Sequence, residues 1–205
     1  MPSSSGLANR KTTRYKGYDY TAPGAYFVTI CTYKGKSILG AVENQIMVPS
    51  ILGELALACW REIPEHHPHA KLDVETLMPN HFHGILWLHA DPAQGIPVMR
   101  QDDAEGEPPV HTPVVRRFGE SITGSLSTII GQFKAAVTRE ARKNEIWPRS
   151  ARLWHGRMWD RIVRNEAELQ RFRDYILTNP ARWEADKLHL DAQPNKFKRA
   201  LLADE

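Results

Sequence analysis

The chain predicts an α+β fold, a ferredoxin-like split βαβ sandwich in which an antiparallel sheet carries helices on one face and an extra C-terminal helix follows. Three observations predict it. Segments that alternate with the period of two expected of strands and segments with helical spacing follow one another in the order β-α-β-β-α-β. A Pro-Asn pair joins the two middle strands with almost no connecting chain. Asn or Ser residues able to cap a helix stand before the second and third helical stretches. A length of 205 residues suits one domain with a sizeable core.

Taken in order, "AYFVTICTYKG" from Ala25 to Gly35 is rich in β-branched and aromatic residues and reads as the first strand. From Pro49, the residues Ile51, Leu52, Leu55, Ala58 and Trp60 fall on one helical face, and Pro64 ends that helix near Glu62. "KLDVETLMP" is a second strand and "HFHGILWLH" a third, with the Pro79-Asn80 turn between them. Residues from about 90 to 120 are rich in Pro, Gly and acids, show neither period and read as a flexible insertion. A second helix follows, with Leu126, Ile129, Ile130, Phe133, Val137 and Ala141 at helical spacing behind a Ser125 or Ser127 cap. "RLWHGRMWDRIV" fits a fourth strand. Asn165 then caps a third helix through Leu169, Phe172, Tyr175 and Ile176, stopping near Asn179-Pro180. The organisation expected is a basic arm over 1–20, one domain over 21–183 interrupted at about 90–120, and a charged surface tail over 184–205.

Composition narrows the function classes. No apolar run approaches the ~20 residues needed to span a bilayer, and the first 20 residues lack the apolar stretch of a secretory signal. The expectation is a soluble, cytoplasmic, nucleoid-associated protein without membrane partners. Cys31 and Cys59 lie in apolar patterns without CxxC spacing, which argues against a thiolate zinc site. The net charge of +3 says little, but its distribution says more. Arginines and lysines crowd the chain from Lys134 to Arg173, and Arg10, Lys11 and Arg14 form a second cluster beside Tyr15. Basic residues interleaved with Trp and Tyr suit a phosphate backbone with unstacked bases. A solvated helix face is the plainer account of the C-terminal run.

The stretch "LMPNHFHGILWL" carries the sharpest signal. Residues two apart on a strand share a face, so His81 and His83 aim together while Phe82 points the other way. Two imidazoles can serve a metal, although they need further donors. They can equally be polar residues on a solvated sheet face. On the third helix, Tyr175 and Asn179 are four apart and share a face, offering a phenol and an amide oxygen. The plainer account makes Tyr175 a half-buried helix residue and Asn179 the helix end before Pro180. "EHHPHA" places His66, His67 and His69 together, which reads as a solvated loop rather than a second metal site.

"MPNHFHGILWL", then "GSLSTIIGQFKAAVTR", then "LWHGRMWDRIVRNEAELQRFRDYILTNP" together resemble the single-tyrosine HUH transposases, most closely the REP-associated tyrosine transposases. The resemblance runs from about Tyr26 to Trp183. It implies a metal-dependent enzyme that cuts and rejoins single-stranded or hairpin DNA, with repetitive extragenic palindromes as the implied partner. By the same resemblance, His81 and His83 hold a divalent cation, Mg or Mn. Tyr175 attacks the scissile phosphate to give a 5′-phosphotyrosine, and Asn179 is the third metal ligand. The chain departs from the family pattern around Trp154-His155 and Trp159-Asp160-Arg161, so His155 is expected only as a DNA contact. Lys134, Arg139, Arg157 and Arg161 join it, with Arg10, Lys11 and Arg14 in the arm. Relatives in this superfamily include dimers that share tyrosines, so both a monomer and a homodimer are open. Two other readings stand beside the enzyme: a catalytically idle DNA-binding protein derived from a transposase, and a metal-dependent hydrolase of another phosphodiester.

Overall fold

The computed structural model describes residues 18–90, 122–193 and 195–202. The expected insertion and nearly all of the N-terminal arm, with Arg10, Lys11 and Arg14, lie outside the described residues.

Four strands form the main sheet: β1 (Gly24–Cys31), β4 (Ala70–Met78), β5 (His81–Leu88) and β6 (Trp159–Ile162), in the spatial order β4-β5-β1-β6. Every neighbouring pair is antiparallel. That is the α+β architecture predicted from the order of periods. Helix α1 (Ile51–Arg61) starts at Ser50, whose side chain accepts from Gly53 N, and α3 (Leu126–Lys143) starts at Ser125, which accepts from Thr128 N. Caps of this kind contribute about 1 kcal/mol each.

Alternation along the strands decides what each face meets. Tyr26, Val28 and Ile30 of β1, with Phe82, Leu86 and Leu88 of β5, pack under α1 and α3 in one continuous core. Ala25, Phe27 and Ile85 face the opposite side and meet Leu169 and Ile176 of α4 (Glu166–Thr178). The sheet is therefore covered on both sides, by α1 and α3 on one and by α4 on the other. Gly84 serves the first side: a Cβ there would come within 2.5 Å of the Trp60 ring, which also packs at a tilt on Phe82 with ring centres 4.7 Å apart.

The structure revises several boundaries. The first strand stops at Cys31, because Tyr33–Gly35 form a 3-10 turn with Lys34 in the left-handed region at φ 54°. The fourth strand is only Trp159–Ile162, preceded by a single bridge from Trp154 to Thr32. A second sheet of two short strands, β2 (Gly40–Glu43) and β3 (Ile46–Pro49), occupies the stretch before α1. Its two-residue turn has Asn44 and Gln45 both at positive φ, 50° and 65°, the conformation that matches the twist of a tight hairpin. A short helix α2 (Ile63–His66) follows α1, and Pro64 sits in its first turn rather than beyond a helix end. The charged tail is exposed or half-buried along most of its length but not without structure. It forms a 3-10 segment at Pro180–Ala185 and a helix α5 (Lys196–Leu202), whose Leu201 is buried near Gly35.

Candidate metal and nucleophile site

The Pro79-Asn80 turn sets the register Met78 opposite His81 and Thr76 opposite His83, while β1 places Cys31 and Thr29 against the same two histidines. Both imidazoles thus leave the sheet on the α4 side, and Phe82 enters the core on the other. The rings of His81 and His83 lie 4.5 Å apart and are 0% and 3% exposed.

Asn80 fixes the chemistry of His81. Its side-chain amide donates to Gly35 O at 3.1 Å and to Leu188 O at 2.7 Å, which leaves its carbonyl oxygen as an acceptor 2.8 Å from His81 Nδ1. His81 must then donate from Nδ1, so its Nε2 carries the lone pair. His83 is held by the same nitrogen, with Nδ1 2.9 Å from Thr29 Oγ1. Both Nε2 atoms are buried without a hydrogen-bond partner. Burial pushes the pKa of His81 down to about 3, and burial with the neighbouring His81 pushes that of His83 well below the usual value. His81 thus presents a lone pair at Nε2, and His83 does so in the tautomer whose Nδ1–H donates to Thr29, so the two neutral imidazoles could serve as a pair of metal donors.

Helix α4 brings the other groups. Asn165 Oδ1 caps it by accepting from Glu168 N at 2.9 Å, and Arg173 grips Asp73 of β4 with two nitrogens at 2.7 and 3.1 Å. Trp87 Nε1 donates to the same carboxylate at 3.0 Å, and these contacts hold the Asp73 pKa down, the Arg173 bond foremost. Phe172 stacks on Phe27 at 4.7 Å, and one turn on Tyr175 lies 5.3 Å from the His83 ring. Asn179 ends the helix, is 2% exposed and leaves Oδ1 without a hydrogen-bond partner, while its side chain hydrogen-bonds Tyr175. The phenol is 38% exposed, so solvent reaches its hydroxyl beside the imidazoles.

Asp186 completes the group. One ligand atom from each of His81, His83 and Asp186 lies within 4.8 Å of the others. One carboxylate oxygen accepts from Leu188 N at 2.6 Å and the other is 3.5 Å from Tyr175 Oη. Burial first, and then the Asp186 charge, push the Tyr175 pKa up to about 12. Sequence reasoning missed this aspartate, which follows a 3-10 turn in a stretch with no period.

The remaining predicted residues fall elsewhere. His155 is 1% exposed, stacked on Trp159 at 5.3 Å, and so stands in the interior rather than at a DNA-facing surface. Lys134 directs Nζ to the carbonyls of His155 and Arg157 at 3.0 Å each. Arg139, Arg157 and Arg161 are exposed. His69, expected in a solvated loop, is 4% exposed and bonded through Nε2 to Gly124 O at 3.0 Å.

Comparison with known proteins places the chain. A Haemophilus influenzae protein described only as "Uncharacterized protein" is 31% identical over 189 residues, spanning 92% of this chain and 97% of that one. The chain belongs to that protein's family. No family model matches the sequence. Among solved structures, a REP-associated tyrosine transposase bound to a REP hairpin has a TM-score of 0.53 at 16% identity, over 86% of this chain and 77% of that one. The family member thus has the fold of that transposase. Among the described residues, no helix is long and apolar enough to cross a membrane.

Proposed function

We propose that this chain is a metal-dependent enzyme that nicks and rejoins single-stranded or hairpin DNA through a covalent bond to Tyr175. The observation that carries the reading is the pair of buried imidazoles whose Nε2 atoms lack partners, His81 and His83, grouped with Asp186 and lying beside the exposed phenol of Tyr175, with Asn179 Oδ1 one helical turn away. A structural role alone leaves those lone pairs unexplained, since a buried polar atom without a partner costs about 1–3 kcal/mol. His81 and His83 would hold the ion with Asn179, as the resemblance implies, and with the carboxylate of Asp186 within 4.8 Å of both imidazoles, and the mixed nitrogen and oxygen set suits Mn²⁺ or Mg²⁺ on phosphate chemistry. When bound, the ion draws charge from the nonbridging phosphate oxygens and lowers the barrier to in-line attack.

The chain's own groups supply the rest. Tyr175 Oη forms a bond to phosphorus as the bond from phosphorus to the 3′-oxygen breaks, leaving the DNA 5′ end on the tyrosine. The phenolic proton passes to Asp186, whose carboxylate is placed at 3.5 Å to receive it, and the departing 3′-oxygen takes a proton from water. One phosphodiester replaces another, so the step reverses without nucleotide hydrolysis. The fold shared with a transposase described as bound to a REP hairpin supports repetitive extragenic palindromes as the substrate class.

The test is to incubate a 5′-labelled and a 3′-labelled hairpin with Mn²⁺ and resolve the products on a denaturing gel. The expected result is a nick whose 5′ end migrates with the protein, lost in EDTA and in Tyr175→Phe. Bound but uncut DNA would instead identify an idle DNA-binding protein, and cutting that persists in Tyr175→Phe would identify hydrolysis by water.

A further inference from the structure

Strand β4 departs from regular alternation at one place. Leu72 pairs with Leu86 and Glu75 with Gly84, so Asp73 and Val74 together stand opposite Ile85, a bulge of one extra residue. On either side of it the strand alternates: Ala70, Leu72 and Leu77 belong to the core under α1 and α3, and Glu75 reaches Arg61 of α1 at 3.3 Å. The extra residue turns both Asp73 and Val74 towards α4, where regular alternation would present only one of them. Val74 packs there with Trp87 and Phe172, and Asp73 meets Arg173.

The Asp73 carboxylate is fully used. Oδ1 accepts from Val74 N at 2.8 Å and Arg173 Nε at 3.1 Å, and Oδ2 accepts from Trp87 Nε1 at 3.0 Å and Arg173 Nη2 at 2.7 Å. Two donors on the strand side hold the acid still, and the two parallel bonds from the guanidinium transmit that fixed position to the helix. At about 100° per residue, Arg173 leaves α4 on one flank of the buried Leu169 and Ile176, and Phe172 and Tyr175 leave it on the other. A grip on one flank and the Phe172–Phe27 stack on the other set the rotation of the helix about its axis.

Rotation is the coordinate that matters for the phenol. A turn of about 10° carries the rim of a helix, about 6 Å from its axis, through about 1 Å. A misplacement of about 1 Å can slow a positioned reaction about 100-fold. We propose that Asp73 and Arg173 are positioning residues: the β4 bulge aims the carboxylate, the carboxylate sets the rotation of α4, and that rotation holds the Tyr175 ring 5.3 Å from His83. The effect on rate rests on the proposed function; the placement of the ring does not.

The test reads rate and placement separately, on the full chain. In single turnovers with hairpin DNA and Mn²⁺ in excess, Asp73→Asn/Arg173→Gln should form the Tyr175 adduct about 100-fold more slowly. Its dissociation constants for the hairpin and for Mn²⁺ should stay within twofold of wild type. Arg173→Lys keeps the charge but loses the paired donors, so it should fold and react at an intermediate rate. Arg171→Gln, which removes an exposed ion pair to Glu168 from the same helix, should react as wild type does. A double-variant rate within threefold of wild type, or an equal fall in hairpin affinity, would overturn the proposal. Placement is read by NMR without DNA: a nuclear Overhauser effect between the Tyr175 and His83 ring protons should be present in wild type, weaker in Arg173→Lys and lost in the double variant. An undiminished effect overturns the positioning whether or not the chain nicks DNA. A wild type that shows the effect, a double variant that loses it and no adduct from either would contradict the proposed function alone.

Discussion

The ring of Tyr175 stands 5.3 Å from that of His83 within one chain. The superfamily that the sequence resembles includes dimers whose subunits exchange tyrosines, which leaves the source of the proposed nucleophile open from sequence. Here the helix that carries the phenol is fastened to its own sheet by Arg173 on Asp73 and by Phe172 on Phe27.

Complementation between inactive chains checks that relationship. Tyr175→Phe mixed with His81→Ala/His83→Ala should form no protein–DNA adduct, because each chain lacks part of its own site. An adduct in the mixture would show that the tyrosine serves a partner.

Metal should stabilise the fold as well as serve chemistry. At a hundredfold excess over its dissociation constant, a ligand that binds only the folded state adds about 2.7 kcal/mol. For a chain of this size that corresponds to a rise in Tm of about 5–10 °C. Thermal unfolding with and without Mn²⁺ measures it, and the rise should be absent in His81→Ala/His83→Ala.

The imidazoles also set a pH dependence in metal-free protein. Folding depresses the His81 pKa from its ordinary 6.5 to about 3 and moves His83 the same way. Between those values the unfolded chain binds more protons than the folded one, so stability is present above pH ~6.5 and is lost as the pH falls towards ~3. Urea midpoints across that range should decline with acid, and less steeply in His81→Asn.

Asn80 is the residue that joins turn, histidine and tail. Asn80→Ala removes the acceptor for His81 Nδ1 and the donors to Gly35 O and Leu188 O. Loss of such an outer partner lowers metal affinity about 10–100-fold. Titration with Mn²⁺ followed by calorimetry checks this, and Asn80→Asp, which keeps the acceptor, should lose less.

What was legible in the sequence was what a period carries. The spacing of two put His81 and His83 on one face and Phe82 on the other, and the spacing of four put Tyr175 one turn from Asn179. Ser125 and Asn165 were readable as caps because a short polar side chain before a helical run has little else to do there. Contacts that no period carries were not legible. The β2–β3 hairpin has four-residue strands and turns on Asn44-Gln45 instead of a glycine pair, and Asp186 reaches the imidazoles only through a 3-10 turn. His155 was expected as a DNA contact where the chain departs from the family pattern, yet the ring is buried and packs on Trp159. The cations of α3 were visible as a run, but that they line one cleft together with Arg149 and Arg152 is seen only in three dimensions.

The most direct measurement is the mass of the peptide that holds the nucleophile. After reaction with a hairpin and Mn²⁺, nuclease trimming and tryptic digestion, the peptide from Asp174 to Arg182 should carry a nucleotide on Tyr175 through a phosphodiester. An unmodified peptide alongside cut DNA, or a nucleotide on another residue, would contradict the assignment of Tyr175.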